Sequence, residues 1–140
     1  ALSHCLAHPL GAVLGMHHGR AVGIALPYSL DYVSSHPPLA DIPNPVMKLG
    51  TAARFIGIDS KSDQEAVQRL IQKARDLSRD VGEPLSLKEA GITKEQMDKE
   101  IDNLVRLADL DTAKLAIPCQ CTTENLKQLF QDMWEGRGVS

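Results

Sequence analysis

Three short polar strings, each placed before an apolar repeat of helical period, restrict this chain to a helical fold. Ser62-Asp63-Gln64-Glu65, Ser86-Leu87-Lys88-Glu89 and Thr93-Lys94-Glu95-Gln96 all carry the capping-box pattern. In that pattern a Ser or Thr side chain accepts from the N–H three residues on, and the Glu or Gln accepts in return from the N–H of the cap. Behind the first string, Ala66, Val67, Leu70, Ile71, Ala74, Leu77 and Val81 recur at helical spacing, and Gly82 and Pro84 stop the run. The second predicts a short helix ended by Gly91, and the third precedes Met97, Ile101, Leu104, Val105 and Ala108. Asn44-Pro45 reads as a cap and first helical residue, opening a helix to about Ile56 with Gly57 beyond it. A last helix should start at Thr122 or Thr123, bury Leu126, Leu129, Phe130, Met133 and Trp134, and end before Gly136. Leu2 to Leu14 and residues 18–34 also look helical, the second bent at Pro27, while the Pro-rich stretch from His36 to Pro43 cannot be regular. No stretch alternates as a half-buried strand would, so the expected fold class is all-α, a helical bundle.

Composition narrows the functional classes. At 140 residues the chain is sized for one domain. Fifteen Lys and Arg against eighteen Asp and Glu leave a net charge of −3, which excludes a basic nucleic-acid arm or a polybasic membrane anchor. The aromatic residues, Tyr28, Tyr32, Phe55, Phe130 and Trp134, are too scattered for a base-stacking platform. No apolar run approaches a membrane span, and no charged segment with a cleavage site opens the chain. The expectation is a soluble, cytoplasmic protein with neither nucleic acid nor membrane as partner. Cys5, Cys119 and Cys121 are odd in number and make no disulfide framework; Cys119 and Cys121 are expected to be semi-buried thiols in a connecting segment. The first residue is Ala1 and not Met, so the chain is expected to be processed, trimmed, or a piece of something longer.

All five histidines, His4, His8, His17, His18 and His36, fall in the first 36 residues, a stretch whose only charged side chains are Arg20 and Asp31. An apolar, Gly-containing, His-rich start followed by solvated helices marks the front end as the chemical part. His4 and His8 stand four apart, on one face of a helix and one turn from each other, where they can approach a common ion. Such a pair also arises by chance in helices. The residues between them, Cys5, Leu6 and Ala7, include no Glu, so the zinc-protease signature is absent. Pro9 disfavours the helical conformation at His8 and predicts a bend there.

His4-x-x-x-His8-Pro9-Leu10-Gly11, then His18-Gly19 ten residues after His8, then a small-residue stretch to Leu26-Pro27, resembles the iron-dependent (group III) alcohol dehydrogenase family over about residues 2 to 28. The resemblance implies that residues 1–140 are the C-terminal portion of the helical metal-binding domain, about the last third of such an enzyme. It implies that His4 and His18 are metal ligands, joined by an Asp and a His from an earlier helix. His8 would lie beside metal and nicotinamide, orienting substrate or relaying a proton, as the catalytic residue. The cofactors implied are a divalent metal, Fe(II) in preference to Zn(II), and NAD or NADP. The partners implied are a small alcohol or aldehyde, the remainder of the parent enzyme, and further copies in a homo-oligomer. The family usually has Pro where this chain has His17, which leaves two adjacent candidates; the spacing and the following Gly19 favour His18.

What the chain lacks bears on the same question. Gly11 and Gly15 sit among apolar residues without the dinucleotide fingerprint, and no Asp is followed by a His three or four residues later. The nucleotide-binding domain and half of the metal shell are therefore expected to lie outside this chain, which should be inactive alone. Removed from its preceding helices, the first helix should expose an apolar stripe of Leu2, Leu6, Leu10 and Val13 and so drive association. The alternatives are a zinc-using relative such as glycerol dehydrogenase or dehydroquinate synthase, and a non-catalytic, His-rich metal-binding or interaction module. The parent reading frame separates these readings.

Overall fold

The computed structural model describes residues 1–137. In order they form α1 (Leu2–Leu14), α2 (His18–Ser35), α3 (Pro45–Phe55), α4 (Asp63–Asp80), α5 (Lys94–Leu110), a short 3-10 turn (Thr112–Ala116) and α6 (Thr123–Glu135). Among the described residues no strand occurs. One isolated bridge joins Pro38 to Cys119, pinning the Pro-rich connector after α2 to the segment before α6. The all-α expectation holds. Among those residues, no helix is long and apolar enough to cross a membrane.

The caps explain most of the boundaries. Asn44 caps α3 through Val46 N–H, with Pro45 as first residue, and Gly57 follows with a φ of 85°. Thr93 and Gln96 form a reciprocal box at α5, and Thr122 and Asn125 form one at α6, which Gly136 closes in the left-handed conformation. Two boxes differ from expectation. At α4 the Ser62 hydroxyl accepts from Glu65 N–H, but the Glu65 carboxylate accepts from Lys61 N–H and not from Ser62. After Ser86 there is a single turn and no helix. Ser86 Oγ accepts from Glu89 N–H, and Glu89 in turn accepts from Leu85 N–H. Gly91, at φ 94°, then reverses the chain before a second turn can form. The turn is held because Leu87 is fully buried and its N–H donates to the Met133 carbonyl near the end of α6.

The core corrects one expectation outright. Leu2, Leu6 and Leu10 are not an exposed stripe; they are buried, and Val13 is half-buried against the same core. α1 packs on α2 and α5, and these with α6 enclose a cluster that includes Tyr28, Tyr32, Leu104, Leu126, Phe130 and Met133. α2 and α5 cover this face of α1, so the stripe is not available to drive association. α3 and α4 form a smaller layer on α2, with Ala53, Ala66, Val67 and Ile71 buried outside the main cluster. Leu77 and Val81 were expected on the buried face of α4 and are exposed. The buried line follows Val67, Ile71 and Arg75; Leu77 lies about 200° round from Arg75, and Val81 falls past the helix end.

Candidate metal centre

The sequence between α1 and α2 folds the histidines onto one another. α1 runs unbroken through the buried Pro9 to Leu14. Gly15 then takes the left-handed conformation at φ 66°, donating to Gly11, while Met16 N–H donates to Leu10. Only Met16 and His17 separate this cap from α2, so α2 turns straight back against α1. His4 and His8 share the outer face of α1, and His18 opens α2 opposite them. The ring centroids of His4 and His8 lie 5.8 Å apart, those of His4 and His18 5.4 Å, and those of His8 and His18 5.5 Å. All three residues are exposed.

Three imidazoles around one tetrahedral ion at ordinary metal–nitrogen distances would have centroids about 5 Å apart. The observed spacing therefore suits a shared ion, and imidazole suits a borderline divalent metal. The orientations do not: the His8 and His18 planes are inclined by only 21°, stacked face to face. Among the described residues no three His, Cys, Asp or Glu side chains are placed to hold a metal. The donor types and spacing fit such an ion once the exposed rings turn; the chain by itself makes an incomplete site.

A carboxylate joins the cluster that the sequence did not announce. Asp111, between α5 and the 3-10 turn, places Oδ2 2.6 Å from His8 Nδ1. Its other oxygen, Oδ1, accepts from Ala113 N–H at 2.7 Å, capping the 3-10 turn. Asp111 partners His8, and among the described residues no group of three metal-ligating side chains includes it. Burial works against the Asp111 charge, but the Ala113 N–H and His8 outweigh it and hold the carboxyl below its ordinary range. The local signal was an Asp two residues before an N–H it can cap; nothing in a sequence couples positions 103 apart.

His17 and His18 part company. His18 is in the ring cluster, whereas His17 caps α2 without a side-chain hydrogen bond and lies in a cleft with Arg20 and Glu83, which pair at 2.8 Å. A Cβ on Gly19 would meet only the His17 ring, at ordinary contact distance, so steric need within this chain does not explain that glycine. His36 stacks on Tyr32 at 3.9 Å and bonds its carbonyl, away from the cluster. Cys5, beside His4, points inward: its thiol donates to the Ala108 carbonyl at 3.2 Å, and burial above all pushes it up to about 12. Cys119 and Cys121 are buried rather than semi-buried, and burial raises both.

Comparison with known proteins identifies the family of the chain. Residues 1–134 match the Fe-containing alcohol dehydrogenase family, C-terminal. The chain is 26% identical over 138 residues to an NADPH-dependent butanol dehydrogenase of Clostridium saccharobutylicum, covering 99% of this chain and 34% of that protein. It is 32% identical over 135 residues to a lactaldehyde reductase of Escherichia coli (strain K12), covering 95% and 32%. Its fold superposes on an alcohol dehydrogenase from Oenococcus oeni with a TM-score of 0.79 and 27% identity, covering 96% of this chain and 32% of the other. The chain thus spans about a third of the length of the curated relatives it matches.

Proposed function

The chain belongs to the Fe-containing alcohol dehydrogenase family, matching its C-terminal region, and on that premise we propose that it is the histidine-bearing portion of a longer, cytoplasmic, NAD(P)-dependent alcohol dehydrogenase. The observation that carries this reading is the meeting of His4, His8 and His18, from two helices, with ring centroids 5.4 to 5.8 Å apart. His4 and His18 would hold a divalent ion, Fe(II) in preference to Zn(II), with an Asp and a His supplied from outside residues 1–140. A bound ion there supplies Lewis-acid polarisation of the substrate oxygen.

The chain's own part in the reaction is positional and acid–base. His8 would take the hydroxyl proton of the alcohol and return it to the aldehyde in the reverse direction, while a bound NAD(P) would supply the hydride chemistry. No residue of this chain is assigned to nucleotide binding. Cys5 and Ala108 are buried where α1 meets α5, while His4, His8 and His18 are exposed, so the substrate would approach from the exposed side. The substrate class is a small alcohol or its aldehyde.

The test is metal content and turnover. The whole protein should retain metal through dialysis and oxidise a short alcohol with NAD(P). Residues 1–140 alone should bind Zn(II) or Fe(II) weakly and oxidise nothing, since catalytic sites close with about three protein ligands and this chain offers two. Stoichiometric, dialysis-resistant metal in the chain alone would overturn the reading.

A further inference from the structure

We propose that Asp111 is a positioning residue that fixes His8 in the tautomer carrying its proton on Nδ1, leaving Nε2 as the lone-pair nitrogen. The proposal deepens the functional reading above and rests on it only for the use made of Nε2.

The geometry gives Asp111 two tasks at once. An ionised carboxylate can only accept hydrogen bonds, and at neutral pH an Asp is ionised. Asp111 Oδ1 is taken by Ala113 N–H at 2.7 Å, which orients the carboxylate, and Oδ2 meets His8 Nδ1 at 2.6 Å. With an acceptor fixed there, Nδ1 must carry the hydrogen. The bond is well sheltered on the carboxylate side, where the Asp111 side chain is 13% exposed, while the His8 side chain is 46% exposed. Neither His4 nor His18 has a comparable partner for its ring among the hydrogen bonds of the described residues. His8 is therefore the histidine of the three whose tautomer this chain determines. An imidazole needs its Nε2 lone pair free to accept a substrate proton, and the wrong tautomer would present N–H there instead.

The same geometry makes the Asn variant informative. In Asp111→Asn the side-chain oxygen remains on Ala113 N–H, so the 3-10 turn keeps its cap. The amide nitrogen then faces His8 Nδ1 and can only donate. The hydrogen must leave Nδ1, and the tautomer inverts.

The experiment is two-bond proton–nitrogen correlation of the His8 ring in the uniformly labelled, metal-free chain, with signals assigned by their loss in His8→Gln. It is run near pH 8.5 with both ring nitrogens read, so that a neutral ring protonated on Nδ1 is told from an imidazolium carrying a proton on each. The expected result is Nδ1 in the protonated range in the wild type, shifting to the lone-pair range in Asp111→Asn. Nδ1 in the lone-pair range in the wild type, or still protonated in a folded Asp111→Asn, overturns the proposal. Should that variant unfold, the wild-type spectrum decides alone. Failure of the functional reading is seen elsewhere, as unchanged turnover in the whole protein bearing His8→Gln, and would leave the tautomer result standing.

Discussion

His4, His8 and His18 share one surface but differ in what stands behind them, and substitution should separate their roles. In the whole protein, His4→Ala and His18→Ala should each strip the metal and nearly all activity, with bound metal measured after dialysis. His17→Ala should retain it, because His17 lies in the Arg20–Glu83 cleft and outside the ring cluster. Metal lost from His17→Ala but kept in His18→Ala would show that the ligand register is off by one. His8→Ala should keep most of the metal and lower turnover by about 10–100-fold, the range for residues that support a metal site without ligating it. The neighbouring Cys5 behaves oppositely to a reactive thiol. Its pKa is raised to about 12, chiefly by burial, so the unfolded chain ionises first as pH rises. Stability from this group is level below about pH 9 and falls from there through about pH 12. The alkaline slope of unfolding free energy should be shallower in Cys5→Ala than in the wild type.

At the level of elements, the α3–α4 pair depends on one close approach. A Cβ on Gly50 would lie 2.6 Å from Asp63 Oδ1 and 2.9 Å from its Cβ, and Asp63 is already paired with Arg54 at 2.5 Å. Gly50→Ala should therefore destabilise by on the order of 1–3 kcal/mol, as overpacking does, in spite of alanine's better helix propensity. Urea titration reads the cost, and an unchanged or raised midpoint would show that α4 gives way freely. The reciprocal Thr93–Gln96 box makes a second test: Thr93→Ala should cost about 1 kcal/mol at the start of α5.

The whole molecule has a main core and a thinner annex. Leu6, Leu104, Leu126 and Phe130 are fully buried in one cluster joining α1, α5 and α6, whereas α3 and α4 bury mainly Ala53, Ala66, Val67 and Ile71. Leu6→Ala should cost about 2–5 kcal/mol, because it empties a fully buried position of the main cluster. Amide hydrogen exchange should be slowest in α1, α5 and α6 and faster in α3 and α4, because the annex can open without breaking the main cluster. Uniform protection across all six helices would contradict this division.

Capping, helical period and glycine stops are local, and they specified the helices, most of their ends and the all-α class from sequence alone. The His4-His8-His18 spacing is also local, since one left-handed glycine and a two-residue link suffice to fold α2 back on α1. Tertiary structure decided what locality cannot express. It covered the Leu2–Leu6–Leu10 stripe with α2 and α5, held Ser86–Gly91 to one turn by burying Leu87, and rotated Leu77 into solvent. It also brought Asp111 to His8 across 103 positions. That contact exists because α1 and α5 pack side by side, and packing depends on the faces of all the helices together rather than on any one segment.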